Sequence, residues 1–317
     1  MRRRITILSC LVLLLGFCSP SVLFGRVIRI SYTSRGLAYF PAFIAVEQGF
    51  FKDEGLDVEL IQMRSNLSVI ALLNRNIDYT LSFGGTLEGA VAGYPIKVLM
   101  VLSDRSPQYF VSGKPYSSAA SLKDTLIGLN RMGGTNEYVI NKVLEHLGLK
   151  RSDYKLVGLG DEAVRVVALI NGRIAGTILS PPGPAIVRRS GGNILARVSD
   201  IMFSPQSLVA THKSLPAENP GEVRAIVKTF VRSLDFMSRP TNKPDLVKVI
   251  SKTFNVTSQD ATESLEMVLS SFSKNGLLDL ADMRLAVKDA AMRSGTKEPP
   301  DPNEIFDFNI LRQVLSK

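Results

Sequence analysis

The stretch VIALLNRNIDYT, residues 69–80, aligns without a gap on VVALINGRIAGT, residues 166–177, when the chain is shifted by 97 residues. The match pairs Val69 with Val166, Ala71 with Ala168, Leu72 with Leu169, Asn74 with Asn171, Ile77 with Ile174 and Thr80 with Thr177. The same shift lays Ile30 on Ile127, Gly36 on Gly133 and Val46 on Val143. Each copy reads as the end of an apolar-striped helix, a turn at Asn, and a short strand. A constant offset through such a unit predicts two similar α/β halves.

Around the first copy, 27–32, 58–63 and 79–83 read as strands and 41–48 and 67–74 as helices. Strands alternating with helices in this way predict βαβ units on a mainly parallel sheet. Ligands of such sheets bind beyond the carboxyl ends of the strands. That rule selects Ser34 and Arg35 after the first strand, Arg64 and Ser65 after the second, and Ser82, Phe83, Gly84 and Gly85 after the third. In the second half it selects Gly133, Gly134 and Thr135, the loop 160–162, and Ser180 before Pro181.

The loop at 130–135 runs into NEYVINKVLEHLG, where Val139, Ile140, Val143, Leu144 and Leu147 recur at helical spacing and Gly148 stands at the C-cap position. A helix start behind two glycines offers free N–H groups and positive potential to an anion; the same glycines also suit a tight strand-to-helix turn. Arg35, Arg64, Arg105 and Arg131 stand in or beside strand-end loops, where a guanidinium fork matches a carboxylate, sulfonate or phosphate or simply stays solvated. Asp161 and Glu162 read as a helix start whose carboxylates complement the dipole. Tyr39 and Phe83 suit either stacking on a ligand ring or the core of a lobe.

Arg2, Arg3 and Arg4, a leucine-rich run to Phe17 and the turn formers Ser19, Pro20 and Ser21 make the three-part pattern of a secretory signal peptide over residues 1–25. The alternative is a lipoprotein anchored through Cys18, against which Phe17 puts bulk where a small residue is wanted. Both cysteines, Cys10 and Cys18, fall inside this leader, so the exported chain holds no thiol and no disulfide. The whole chain of 317 residues carries a net charge of +9, three units of which come from the leader arginines. No Lys/Arg cluster interleaved with aromatics is present, which argues against nucleic acid as a partner.

SPQYFVSGKP, near 106–115, and SPQSLVATHK, near 204–213, share an opening and suit two segments crossing between the halves. Beyond the second, the pattern turns helical: Asn219-Pro220, 255–258 and Asp301-Pro302 each read as a helix start. The expected organisation is therefore a leader (1–25), a discontinuous lobe one (26–108 plus 212–317, including the C-terminal helices) and lobe two (109–211).

An enzyme would need a reactive constellation. His146 and His212 are the only histidines, neither has an acid and a nucleophile nearby in sequence, and no GxSxG, Walker loop or HExxH occurs. No metal-ligand spacing or cofactor motif is present either.

The segments VIRISYTSRGLAYFPAFIAVEQGFFKDEGLDVELI, IALLNRNIDYTLSFGGT and LIGLNRMGGTNEYVINKVLEHLGL resemble the periplasmic substrate-binding proteins of ABC importers, in the group binding sulfonates, taurine, nitrate and thiamine-pyrimidine precursors. The resemblance covers roughly residues 27–215. It implies a type II periplasmic binding fold: two lobes, each a mainly parallel sheet flanked by helices, joined by two crossing hinge segments and followed by a helical tail. It also implies a periplasmic monomer that captures a small anionic ligand between the lobes and hands it to an ABC transporter permease, its membrane contact being through the permease or a lipid anchor. Ser34, Arg35, Arg64, Ser82, Gly84, Gly134 and Thr135 inherit the strongest ligand-binding claims. Alternatives are a thiamine-pyrimidine-precursor binder and a sensory module. The pyrimidine synthases of this fold use a cysteine-rich motif that the exported chain lacks. Many relatives place an acid just before a proline where this chain has Ser180-Pro181, which argues against an amine-bearing ligand held there.

Overall fold

The computed structural model describes residues 26–316. The leader reading, with Cys10 and Cys18, lies outside the described residues. Strands β1 (Ile28–Tyr32), β2 (Val58–Gln62), β3 (Tyr79–Ser82) and β4 (Ile96–Ser103) belong to one sheet. Strands β5 (Tyr109–Ser112), β6 (Thr125–Leu129), β7 (Tyr154–Gly158), β8 (Gly176–Leu179) and β9 (Asn193–Arg197) form a second, and β10 (Ser207–His212) returns to the first. The strand orders are β2-β1-β3-β10-β4 and β7-β6-β8-β5-β9. β1 pairs in parallel with β2 and β3, as β6 does with β7 and β8, and the fourth strand of each sheet is antiparallel to both its neighbours.

The duplication is present in three dimensions. Ile30 pairs with Tyr79 in the first sheet and Ile127 with Gly176 in the second, each residue displaced by 97. The helices Ser65–Leu73 and Glu162–Ile170 are displaced by the same amount. Each half lends one strand to the other's sheet: β5 follows the first crossing and β10 the second.

One boundary differs from the sequence reading, which ended lobe two at 211. β10 is interior to the first sheet, between β3 and β4. Leu208, Val209 and Ala210 are fully buried, so this run needs sheet partners and cover on both faces, which a solvated crossing segment could not give. The crossings are correspondingly short, at 104–108 and 198–206, and both leave from the β4 and β9 edges. β2 and β7 occupy the opposite edges.

Three of the C-terminal helices start where the caps predict. Asn219 accepts from the Glu222 N–H ahead of Pro220–Ser238, Thr257 from the Asp260 N–H ahead of Ser258–Val268, and Asp301 from the Asn303 N–H. Val223, Ile226, Val227 and Phe230 sink into the core of the first sheet, where Phe51 meets Phe230 edge-on with centroids 5.7 Å apart. The second sheet has its own apolar clusters, around Phe110 and Ile140 on one face and Val111 and Leu169 on the other.

Candidate functional site

The strand-end loops of the two sheets converge on one cavity of about 840 Å³. Of the predicted residues, Ser34, Tyr39, Arg64, Ser65, Ser82, Phe83, Gly84, Gly85, Gly134, Thr135 and Ser180 line it. Three do not. Arg35 is exposed on the outside of lobe one, its Nη2 donating to the Thr253 carbonyl at 3.3 Å. Arg105 belongs to the first crossing at the hinge edge, its backbone N–H on the Ser271 carbonyl at 3.3 Å and its side chain in solvent. Gly133 serves the turn: its φ of +71° suits glycine, and its N–H is taken by the Glu137 carboxylate at 2.7 Å. Of that glycine pair, Gly133 makes the turn and Gly134 lines the cleft.

The wall from lobe one is built of hydroxyls. Ser65 and Ser82 share a hydrogen bond of 2.9 Å, and behind them Ser68 bonds Thr80 at 2.8 Å and Ser31 at 2.5 Å. Tyr39 is buried with its hydroxyl 2.5 Å from Thr33 Oγ1, and burial pushes its phenol up to about 12.

In lobe two the duplicate positions of Ser65, Ser68 and Thr80 are Glu162, Arg165 and Thr177. The threonine is retained, and the two serines have become a buried ion pair. Arg165 Nη1 donates to Thr177 Oγ1 at 3.0 Å and to the Ile178 carbonyl, and its Nη2 lies 3.9 Å from Glu162 Oε1. Arg165 Nε is buried without a partner. Glu162 accepts from the Ser180 N–H at 2.9 Å and the Ser180 hydroxyl at 3.2 Å. Burial raises the Glu162 carboxyl above the ordinary carboxylate range, against the pull of Arg165, and burial lowers Arg165. Asp161 caps the helix as predicted, accepting from the Ala163 N–H, and Glu162 of the selected loop lines the cleft; Arg165, one turn further on, also reaches the cleft wall, which the sequence reading did not foresee.

The lobes touch across the cavity. Leu37 N–H donates to the Pro181 carbonyl at 2.9 Å on one side. On the other, Gly84 abuts Thr135, whose hydroxyl donates to Glu88 at 3.1 Å. Gly84 and Pro181 are 97 residues apart, and Leu37 duplicates Gly134, the neighbour of Thr135, so the two bridges lie at equivalent places in the two halves although one is a backbone hydrogen bond and the other a side-chain contact. At the β2 and β7 edges Gln62 donates to Asp161 at 2.6 Å.

A further element reaches the site from the tail helix Leu280–Ser294, where Arg293 Nε donates to Glu88 at 2.7 Å and its guanidinium stands 5.5 Å from the Tyr138 ring centre. Tyr138 in turn donates to Asp289 at 2.9 Å, and burial together with that carboxylate pushes its phenol up to about 12. Most charges lining the cleft are therefore answered: Arg293 by Glu88 and Asp289, Arg165 by Glu162, and Asp161 by Gln62. Among the described residues, Arg64 and Arg131 line the cavity and make no ion pair. The lining contains no Cys, His or Lys, and no group of three or more His, Cys, Asp or Glu among the described residues is placed to hold a metal.

The family model described as "NMT1/THI5 like" matches residues 38–243. A curated relative, the 4-amino-5-hydroxymethyl-2-methylpyrimidine phosphate synthase THI13 of Saccharomyces cerevisiae, is 26% identical over 141 residues, 43% of this chain. The match spans only 40% of that relative's length. Three solved structures share the fold at low identity. The ligand-binding component of an ABC-type import system from Staphylococcus aureus is 15% identical with a TM-score of 0.73, over 92% of this chain and 99% of that one. The periplasmic nitrate-binding protein NrtA from Synechocystis PCC 6803 is 14% identical with a TM-score of 0.74, over 92% and 88%. The periplasmic aliphatic sulphonate binding protein SsuA from Escherichia coli is 15% identical with a TM-score of 0.69, over 88% and 91%. Two α/β sheets flanked by helices, as in these periplasmic binding proteins, are thus the fold of this chain.

Proposed function

The chain belongs to the NMT1/THI5-like family, and from that premise we propose that it is an extracytoplasmic solute-binding protein that closes its two lobes on a small anionic organic ligand, a sulfonate, carboxylate or nitrate-like ion, and delivers it to an ABC permease. The observation that carries this reading is the pairing pattern in the cleft: Arg64 and Arg131 are its two cations without an acid, beside hydroxyls and the helix start at Gly134 and Thr135. A planar or tetrahedral oxyanion can take a guanidinium fork and backbone N–H groups together. Contacts from both lobes are what make closure depend on the ligand, since a ligand touching one lobe alone cannot shift the equilibrium. The absence of Cys, His and Lys from the lining supports binding without turnover.

The test is a thermal-shift panel on the protein lacking residues 1–25, with taurine, alkanesulfonates, nitrate and short carboxylates. A ligand at one hundred times its dissociation constant is expected to stabilise by about 2.7 kcal/mol. Silence across all these anions overturns the reading. The similarity to the yeast pyrimidine synthase favours a second one, an aminopyrimidine ligand, so aminopyrimidines join the panel and a response to them alone selects it. Product formation during the assay would show an enzyme.

The two arginines that the sequence ranked together separate here. Arg64→Ala is expected to weaken an anionic ligand by roughly 1.5–3 kcal/mol, the value of a hydrogen bond to a charged group. Arg35→Ala, outside the cavity, is expected to change affinity by no more than a few tenths. Isothermal titration decides, and equal losses would place Arg35 in contact with the ligand.

A further inference from the structure

A buried carboxylate stands in the wall of the cleft and fixes which way a neighbouring hydroxyl points. Glu162 is 6% exposed and Ser180 2%, and both line the cavity. Glu162 Oε2 accepts from the Ser180 N–H at 2.9 Å, and Oε1 accepts from the Ser180 hydroxyl at 3.2 Å. With its one hydrogen spent on the carboxylate, the Ser180 hydroxyl offers the cleft only lone pairs. An ionised Glu162 therefore opposes an anion twice, by its own charge and by the hydroxyl it holds.

The groups around Glu162 do not remove that conflict. Arg165 Nη2 lies 3.9 Å from Oε1, outside hydrogen-bond reach, and Nη1 is committed to Thr177 and the Ile178 carbonyl. Asp161, on the same helix, adds a like charge and is itself held by Gln62. From lobe one the titratable group that senses Glu162 is Tyr39, a phenol pushed up to about 12 and so uncharged at neutral pH. Closure adds a further cost. A Cβ at Gly36 of lobe one would stand 3.2 Å from Ser180 Cβ and 3.5 Å from Glu162 Oε2, so lobe-one backbone takes the place of water beside the carboxylate, which penalises the charged form alone. One proton resolves both oppositions. The Oε1–H donates to Ser180 Oγ, the Ser180 hydroxyl turns its own hydrogen to the cleft, and the Arg165 charge is left for the ligand to answer.

We propose that Glu162 takes up a proton from solvent as the lobes close on an anion, and that the Ser180 hydroxyl, reversed by that proton, donates to the ligand. This rests on the solute-binding reading above and makes Glu162 a positioning residue that acts through Ser180. The closed, loaded form holds the proton more tightly than the open one, so the linkage has one sign. Affinity is full below the pKa of the open form, falls about tenfold per pH unit as pH rises above it, and levels off beyond the pKa of the closed form.

The test is isothermal titration of the protein lacking residues 1–25, across pH and in buffers of different ionisation enthalpy, which counts the protons exchanged. The probes are alkanesulfonates and nitrate between about pH 5 and 9 and short carboxylates above about pH 6, ranges in which none of them changes charge. Wild type is expected to take up about one proton per anion on the falling limb. Glu162→Gln carries an N–H where the protonated acid carries its O–H, so it is expected to take up none and to hold its affinity within about twofold across the same range. The wild-type proton count needs no variant, so any loss of stability in Glu162→Gln leaves the result readable. Wild-type binding without proton uptake at any pH, or uptake that persists in Glu162→Gln, overturns this inference alone. A protein that binds none of these anions overturns the solute-binding reading, and this inference with it.

Discussion

Arg165→Met lowers the unfolding free energy by about 3–5 kcal/mol at neutral pH, the cost of leaving a buried charge without its partner. Arg165 is 3% exposed and Glu162 6%, so neither recovers solvation while the lobe stays folded. Removing the guanidinium leaves the Glu162 carboxylate held by Ser180 alone. The deficit has a pH signature whose sign follows from the direction of the shift. Burial already raises the Glu162 carboxyl above its unfolded value, and loss of the cation raises it further. A raised carboxyl favours the folded state while protonated and loses that contribution as pH rises through its folded pKa. The variant is therefore closest to wild type near pH 4 and furthest from it above neutrality. Glu162→Leu/Arg165→Met, which removes both charges, is expected to recover most of the loss. Urea titrations across pH decide: a deficit of the same size at every pH, or a double variant as unstable as the single one, would show that Arg165 contributes by packing and not by charge.

The same pair shows how far the sequence could be read. The offset of 97 residues fixed strands, helices and register in both halves because a duplicated βαβ unit repeats its apolar periodicity, and periodicity is a local property. Cap residues located three of the tail helices for the same reason. β10 was placed in the wrong lobe because strand exchange between sheets leaves no local trace: Ser207–His212 reads as a strand whichever sheet takes it. At the site, the strand-end rule found loops but could not say which way a side chain turns. Arg35 and Arg64 occupy equivalent-looking loop positions, and only the tertiary fold sends one toward the Thr253 carbonyl and the other to the cleft. Arg293 and Asp289 lay beyond reach altogether, since nothing local ties the tail helix to the cleft. Arg165 did carry a signal, a charged residue on the inner face of a helix that is apolar after Glu162, at the position where the first half keeps Ser68.

Gly84→Val is expected to weaken ligand binding by 100-fold or more while leaving the unliganded protein as stable as wild type. A Cβ at Gly84 would stand 2.7 Å from Thr135 Oγ1, 3.2 Å from its Cγ2 and 3.3 Å from its Cβ, all across the cleft. Rotating Thr135 about χ1 clears one of these two positions but not both, and its Cβ stays where it is, so relief also requires the lobes to move apart. Gly84 begins a helix with an ordinary φ, and a side chain there carries no backbone strain; in helix propensity it is a gain. The damage is therefore confined to the closed state. Apparent affinity scales with the fraction of protein able to close, and a closing penalty of about 2.7 kcal/mol corresponds to the 100-fold loss. The three atoms nearest the added Cβ all belong to Thr135, so Thr135→Gly in the same chain should restore closure, and the coupling of the two substitutions measures the steric term apart from the lost Thr135–Glu88 hydrogen bond. Small-angle scattering supplies the second readout: the single variant stays at its ligand-free radius of gyration when ligand is added, whereas wild type contracts. Wild-type affinity in Gly84→Val, or contraction on ligand addition, would mean that the Gly84–Thr135 contact is not made in the ligand-bound form.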